Sequence, residues 1–351
     1  MDILMWLHQE VRTIPGGHQT QMDETARALR NRGHHVEVSL DPQADPGGFH
    51  VVHGLGLNLH QADATRRAGV PLVVSTIWWP LAYLNGAQAP LDLEKVKRQA
   101  RRVLAHSWWR VSGQSPRLPG AEARLVYPLA RVLLPNGPSE ARAVRRDLRV
   151  SMPMHSIPNA IDPVRYSRSI EPREDFVLAV GRIEPHKNQL GTLVALRDQA
   201  RPVYVVGHPH PHHRDYVEQV RASLRVQDRL FTDLPGDELV ALYRTAAVHV
   251  LNSWFETTGL SSLEAAACGA GVVSTQRGFA RDYFGHRAAY CDPARPARLS
   301  GIIDAAAHRA STGLSEYVRA RYTWERAAEA TELAYLVAMG DRPATDLSLD
   351  L

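Results

Sequence analysis

The sequence predicts an α/β fold of two Rossmann-like domains, and three observations carry that prediction. Apolar strand-like runs alternate with helical segments along the whole chain. The runs are almost continuously apolar, as in Phe176–Val180, which is the pattern of parallel strands covered on both faces rather than of sheets with one wet side. The length, 351 residues, is ample for two cores of ordinary size.

In chain order, the first half supplies strands at Asp2–Leu7, His35–Ser39, His50–His53, Pro71–Ser75, Arg102–Ala105 and Arg131–Leu134. A helix is expected from about Gln19 to Arg32. The turn-rich stretch from Pro42 to Gly48, the aromatic segment from Trp78 to Pro90 and the stretch from Ser112 to Gly120 read as loops. A second α/β domain starts near Pro163, with strands at Phe176–Val180, Val203–Val206, Leu230–Phe231, Val248–Leu251, Gly271–Ser274 and Ala288–Tyr290. The Leu- and Ala-rich run from Leu260 to Cys268 is a helix by propensity. Gly340 to Leu351 reads as a frayed tail.

Two segments carry chemistry. The strand ending at Leu251 gives way to a polar turn, then Glu256, Thr258, Gly259, and the helix that begins at Leu260 and contains Glu264. A strand, a glycine-containing loop and a helix in that order aim free backbone N–H groups and the positive end of the helix dipole at whatever lies above the loop. Two carboxylates bracket this anion site, so a phosphate-bearing ligand with hydroxyls on both sides fits it. About seventy residues earlier, the strand Phe176–Val180 runs into Gly181-Arg182, and Lys187 follows before another helix. Both cations leave the carboxyl end of a strand, where open α/β sheets bind ligands.

These two motifs, in this order, resemble those of retaining glycosyltransferases of the GT-B fold, glycosyltransferase family 4 in particular. Further matches are Gly16-Gly17 after the first strand, Ile157 to Asp162 at the close of the first domain, and Tyr322-Thr323-Trp324 ahead of a terminal helix. The resemblance is strong from residue 157 to 293 and thin before residue 125. It implies two domains, 1–162 and 163–322, facing across a cleft, with 323–351 crossing back and ending in the tail. It implies a nucleoside-diphosphate sugar as co-substrate, no further cofactor and no metal. Arg182 and Lys187 would bear the diphosphate charge, Glu256 the sugar hydroxyls and Glu264 the ribose. Thr258, Gly259 and Leu260 would line the donor pocket, with Gly16 and Gly17 closing over the donor from the first domain. The acceptor would be a carbohydrate, a lipid-linked group or another hydroxyl compound.

The chain departs from that pattern in two places. Where the family often has a His that contacts the transferred sugar, this sequence has Ser75, Thr76, Ile77, Trp78 and Trp79. His53, His106 and Thr76 are candidate substitutes, and the Trp pair is equally readable as an acceptor platform or as core. Position 258 is Thr where Phe is usual. Two other readings stay open: a nucleotide-sugar epimerase or hydrolase on the same fold, and a non-catalytic nucleotide-sugar-binding partner subunit.

The remaining features are weaker. His208, His210, His212 and His213 invite a metal reading, but no carboxylate or Cys at ligand spacing accompanies them in the sequence, so a loop near the nucleotide is the expectation. Cys268 and Cys291 give no disulfide framework, and Cys268 reads as a small core residue. Residues 1–160 hold 19 Lys and Arg against 13 Asp and Glu, concentrated at Lys95, Lys97, Arg98, Arg101 and Arg102. That face could meet anionic headgroups or a polyanion, although a solvated surface is the plainer reading, and nucleic acid is not expected. No apolar run approaches the ~20 residues of a membrane span, and Ile3 to Leu7 is too short for a signal-peptide core, so a cytoplasmic protein, in contact at most with an inner membrane face, is expected.

Overall fold

A computed structural model describes residues 1–7, 17–80, 121–170, 172–308 and 312–350. The expected strand Arg102–Ala105, the basic face Lys95–Arg102, His106 and Gly16 lie outside them. The chain divides into two compact units. One comprises Met1–Thr13, Ala26–Ile157 and Ala328–Asp350; the other comprises Ile14–Thr25, Pro158–Ala327 and Leu351.

The first unit holds a parallel sheet of β1 (Asp2–Leu7), β2 (His35–Ser39), β3 (Val51–Leu55), β4 (Leu72–Ser75) and β5 (Val132–Leu134), in the order β2-β1-β3-β4-β5. Ile3 to Leu7 and all of β3, β4 and β5 are buried, in keeping with their largely apolar sequence. The helix expected after β1 spans Gly17–Asn31. Polar side chains also enter this core, and each is matched. Glu140 is fully buried and accepts from the Thr76 hydroxyl at 2.8 Å, the Trp78 N–H at 2.7 Å, and the Asn136 N–H and side-chain amide at 2.9 Å each. One carboxylate thus stitches the segments leaving β4 and β5. Burial pushes its pKa up to about 7, against the pull of these four donors.

Of the tail that the sequence suggested is frayed, Gly340 to Leu351, the described residues up to Asp350 are held in place. Ser156 N–H donates to Ser348 O at 2.9 Å, the Ser156 hydroxyl donates to Leu349 O at 2.9 Å, and Ser348 N–H donates to His155 Nδ1 at 2.9 Å. The tail was misread because its anchors lie nearly two hundred residues away in sequence.

The second unit holds a six-stranded parallel sheet: β6 (Glu174–Val180), β7 (Val203–Val206), β8 (Arg229–Phe231), β9 (Ala246–Leu251), β10 (Gly271–Thr275) and β11 (Ala289–Cys291). Its order, β11-β10-β9-β6-β7-β8, is that of a Rossmann sheet, with the winding direction reversing between β6 and β9. Every residue of β9 is buried, and its largest set of partners is β6, which pairs Val177 with Val248 and Leu178 with His249. Cys268 and Cys291 are free and buried in the core, with thiols pushed up to about 12 by burial. Among the described residues, no helix is long and apolar enough to cross a membrane.

Candidate active site

The switch point gathers the two sequence motifs. β6 and β9 are neighbours with the chain diverging on either side, so the loops that follow them open onto one crevice beyond the carboxyl edge. Four bonds bind these loops together. Trp254 N–H donates to His186 O at 2.9 Å, His186 Nε2 donates to Phe255 O at 2.8 Å, the Asn188 amide donates to Asn252 O at 3.2 Å, and Lys187 Nζ meets Glu256 Oε1 at 2.6 Å.

Lys187 stands at the end of a short 3-10 turn, Pro185–Lys187, closed by Asn188 in the left-handed region at φ 56°, which Asn tolerates better than most side chains. Glu256 is buried at 6% exposure. Burial alone would raise its pKa, but the Lys187 ammonium, with help from Ser253 and His186, outweighs it and holds the carboxyl below its ordinary value. Arg182, two residues beyond β6, lies 3.4 Å from Glu184. Each cation therefore rests against a carboxylate, and the crevice carries charge of both signs at close range.

Two features that the motifs do not display set the position of Glu256. Its N–H donates to Arg277 O at 3.0 Å, and its carbonyl accepts from Phe279 N–H at 2.9 Å, so the turn after β10 clasps its backbone. Gly278, between those two, approaches so closely that a Cβ there would lie 1.9 Å from Glu256 O. A glycine is required, and a Gly two to three residues past a strand end was the one signal available to sequence reading. Gly207 after β7 bears in the same way on the Gly181 carbonyl, again at 1.9 Å.

Gly259 has φ 77° and opens the helix Leu260–Ala267, with no side chain capping the first turn. Ser262 N–H donates to Gly259 O at 2.8 Å and Leu263 N–H to the same oxygen at 3.3 Å, which leaves the Leu260 and Ser261 N–H groups to face a ligand at the positive end of the helix. Glu264 is half-buried within it and accepts from the hydroxyls of Tyr243, at 2.8 Å, and Tyr166. Burial pushes its carboxyl up to about 7, with both phenols pulling the other way. The two tyrosines come from distant segments and had no motif to announce them.

The other candidates fall as follows. Gly17 is exposed at the start of the helix Gly17–Asn31. Thr258 is 1% exposed; its hydroxyl accepts from the Asn159 amide at 3.0 Å and contacts Tyr283 Oη at 3.3 Å, so its side chain knits the Ile157–Asp162 segment rather than lining an open wall. Of the proposed substitutes for the missing His, Thr76 is committed to Glu140, and His53 is 2% exposed between Tyr335 Oη at 2.6 Å and Ser75 Oγ at 2.8 Å. Burial lowers the His53 pKa to about 4, so it stays neutral there. Trp78 resolves to core: it is 3% exposed, with its indole N–H on Asp147 at 2.9 Å and its ring edge-on to Tyr127. Trp79 is half-buried.

Known proteins share this fold. Sucrose-phosphate synthase from Thermosynechococcus elongatus superposes with a TM-score of 0.73 at 15% identity, covering 97% of this chain and all of that one. Anabaena Alr3699/HepE, solved with UDP and glucose, gives 0.67 at 17% identity, covering 95% and 99%. At these identities the likeness shows the fold, which is GT-B. Residues 163–320 match the family described as glycosyl transferases group 1. A D-inositol 3-phosphate glycosyltransferase from Acidothermus cellulolyticus is 28% identical over 347 residues, covering 87% of this chain and 71% of its own length. The protein of the same description from Rhodococcus opacus is 33% identical over 135 residues, 34% of this chain and 30% of that one. Residues 163–320 of the second unit thus match a group 1 glycosyltransferase domain, within a chain of GT-B fold.

Proposed function

We propose that the chain moves a sugar from a nucleoside-diphosphate donor to an acceptor hydroxyl with retention at the anomeric carbon, without a metal ion in the transfer step. The observation that supports this most is the meeting of Lys187 and Glu256 at 2.6 Å across the switch point, with Arg182 on the same loop as Lys187. A cation, a carboxylate and a helix N-terminus converge there as a diphosphate joined to a hydroxyl-rich ring would need.

In this reading the diphosphate takes Arg182 and Lys187 and the N–H groups at Gly259 and Leu260. These preorganised donors stabilise the charge that builds on the leaving phosphate. Glu256, released in part from Lys187, accepts from sugar hydroxyls, and Glu264 accepts from the ribose beside its two tyrosines. The acceptor oxygen bonds to the anomeric carbon on the face from which the phosphate leaves. As the C–O bond to phosphate breaks, the acceptor proton passes to the departing phosphate oxygen, so charge and atoms balance without a protein nucleophile. The described relatives act on D-inositol 3-phosphate, which puts phosphorylated polyols first among acceptors to try.

The experiment is transfer from a panel of nucleotide sugars to a panel of polyol phosphates, with the anomeric product assigned by NMR. Arg182→Ala or Lys187→Ala should lower kcat by about a hundredfold or more, since one preorganised charge contact contributes roughly 3–4 kcal/mol. Wild-type rates in both variants would remove the donor site from this crevice. An inverted product would end the front-face reading.

A further inference from the structure

The histidine run after β7 acquires in three dimensions the carboxylate it lacks in sequence. Ile183 N–H donates to His208 O at 2.9 Å and His210 N–H donates to Ile183 O at 3.2 Å, so the segment after β7 lies alongside the one after β6. This pairing brings Glu184 to His210, with Oε2 at 3.9 Å from Nε2. A turn closed by His213 N–H on His210 O, at 3.0 Å, then returns the His213 ring to within 4.7 Å of the His210 ring, centroid to centroid. One ligand atom from each of Glu184, His210 and His213 lies within 4.8 Å of the other two.

We propose that Glu184, His210 and His213 form a site for a divalent transition metal, zinc by the chemistry of the set, with one coordination position left open. Two imidazoles and a carboxylate are a ligand set that zinc accepts, and zinc at bond lengths of roughly 2.0–2.2 Å needs its ligand atoms about 3.4 Å apart. No pair has to close by more than about 1.4 Å to reach that spacing, a shift within the reach of side-chain rotation on a fixed backbone. The backbone is fixed: Gly207 packs on the Gly181 carbonyl and Ile183 is bonded on both sides. Glu184 is buried at 7% exposure, and its carboxylate has Arg182 on the Oε1 side, 3.4 Å away. His210 Nδ1 accepts from His212 N–H at 3.2 Å; ligation through Nε2 moves the proton to Nδ1 and gives up that bond.

His213 also lines a depression of about 590 Å³, with Pro185, Pro211 and Tyr216, wide enough to bring water or a ligand atom to the set. The transfer reaction proposed above does not use this ion, so the two readings fail separately.

The test is binding of the metal alone to the chelator-treated full chain. Calorimetric titration with Zn²⁺ should show one equivalent taken up at micromolar affinity or better, and Co²⁺ should give visible absorption bands of low coordination number. Glu184→Gln and His213→Ala should each weaken uptake at least tenfold, with circular dichroism unchanged. His208→Ala, on the same loop but outside the set, should bind as the wild type does. The sequence has 17 histidines, so uptake that survives both Glu184→Gln and His213→Ala overturns the proposal, as does no uptake at 100 µM metal, taken as roughly a hundredfold above a micromolar Kd.

Discussion

Glu264 and Glu256 are both carboxylates at the edge of one crevice, and their surroundings push them in opposite directions. Glu256 gains an ammonium and falls; Glu264 gains two phenols and the weaker pull of Arg165, which do not offset burial, and rises to about 7. A carboxyl raised from 4.5 in this way favours folding while protonated, and that advantage is lost as pH rises from about 4.5 through about 7. Glu264→Gln should therefore gain stability over the wild type at pH 8, on the order of 1–3 kcal/mol, and gain little at pH 5. Melting temperatures of both proteins at the two pH values check this, and an equal difference at both would refute it. A side chain that lowers stability at neutral pH is retained for another reason, here the ribose contact proposed above. The same residue scale limits what sequence reading can see. Thr76, His53 and Trp78 were readable as site residues because their types suit the chemistry. Only burial, with Glu140, Tyr335 and Asp147 as partners, assigns them to the interior.

Among elements, the loops after β6, β7, β9 and β10 matter more than the strands that aim them. The strands were legible: apolar runs bounded by Gly and polar turns gave β1, β7 and the last residues of β6 within a residue or two, and the alternating His35–Ser39 gave β2. The loops were legible only where a motif marked them. Glu184 belongs to no motif in the sequence, and the turn at Arg277–Phe279 carries no signature beyond one glycine. Gly278→Ala should show how far Glu256 depends on that turn. A Cβ placed 1.9 Å from the Glu256 carbonyl forces backbone to move, so transfer should fall at least tenfold while bare nucleotide binding, carried by Lys187, Arg182 and Glu264 in this reading, falls much less. A steady-state comparison of kcat with the Kd for nucleoside diphosphate separates these effects, and full activity in the variant would show that the turn can yield.

For the whole molecule, two parallel sheets were predictable from alternation and length, whereas the long-range ties were not. The tail illustrates the difference: its composition is that of a disordered end, yet three hydrogen bonds fasten it beside Ser156. Deleting residues 347–350 should lower the stability of the first unit by about 2–4 kcal/mol, at roughly 1 kcal/mol for each bond lost with some packing besides. Chemical denaturation of the truncated and full chains measures this, and coincident midpoints would mean that the tail merely lies on the surface.

The clasp of Gly278 on Glu256 bears on how activity is diagnosed among chains of this type. A sequence that keeps Arg182, Lys187, Glu256 and Glu264 but carries a side chain at position 278 is expected to lose transfer. The four charged residues would then form an intact signature on a displaced backbone. Sorting working enzymes from lapsed copies by their charged motifs alone would count such a chain as active. Reading one further position, a glycine with no chemistry of its own, would correct the count.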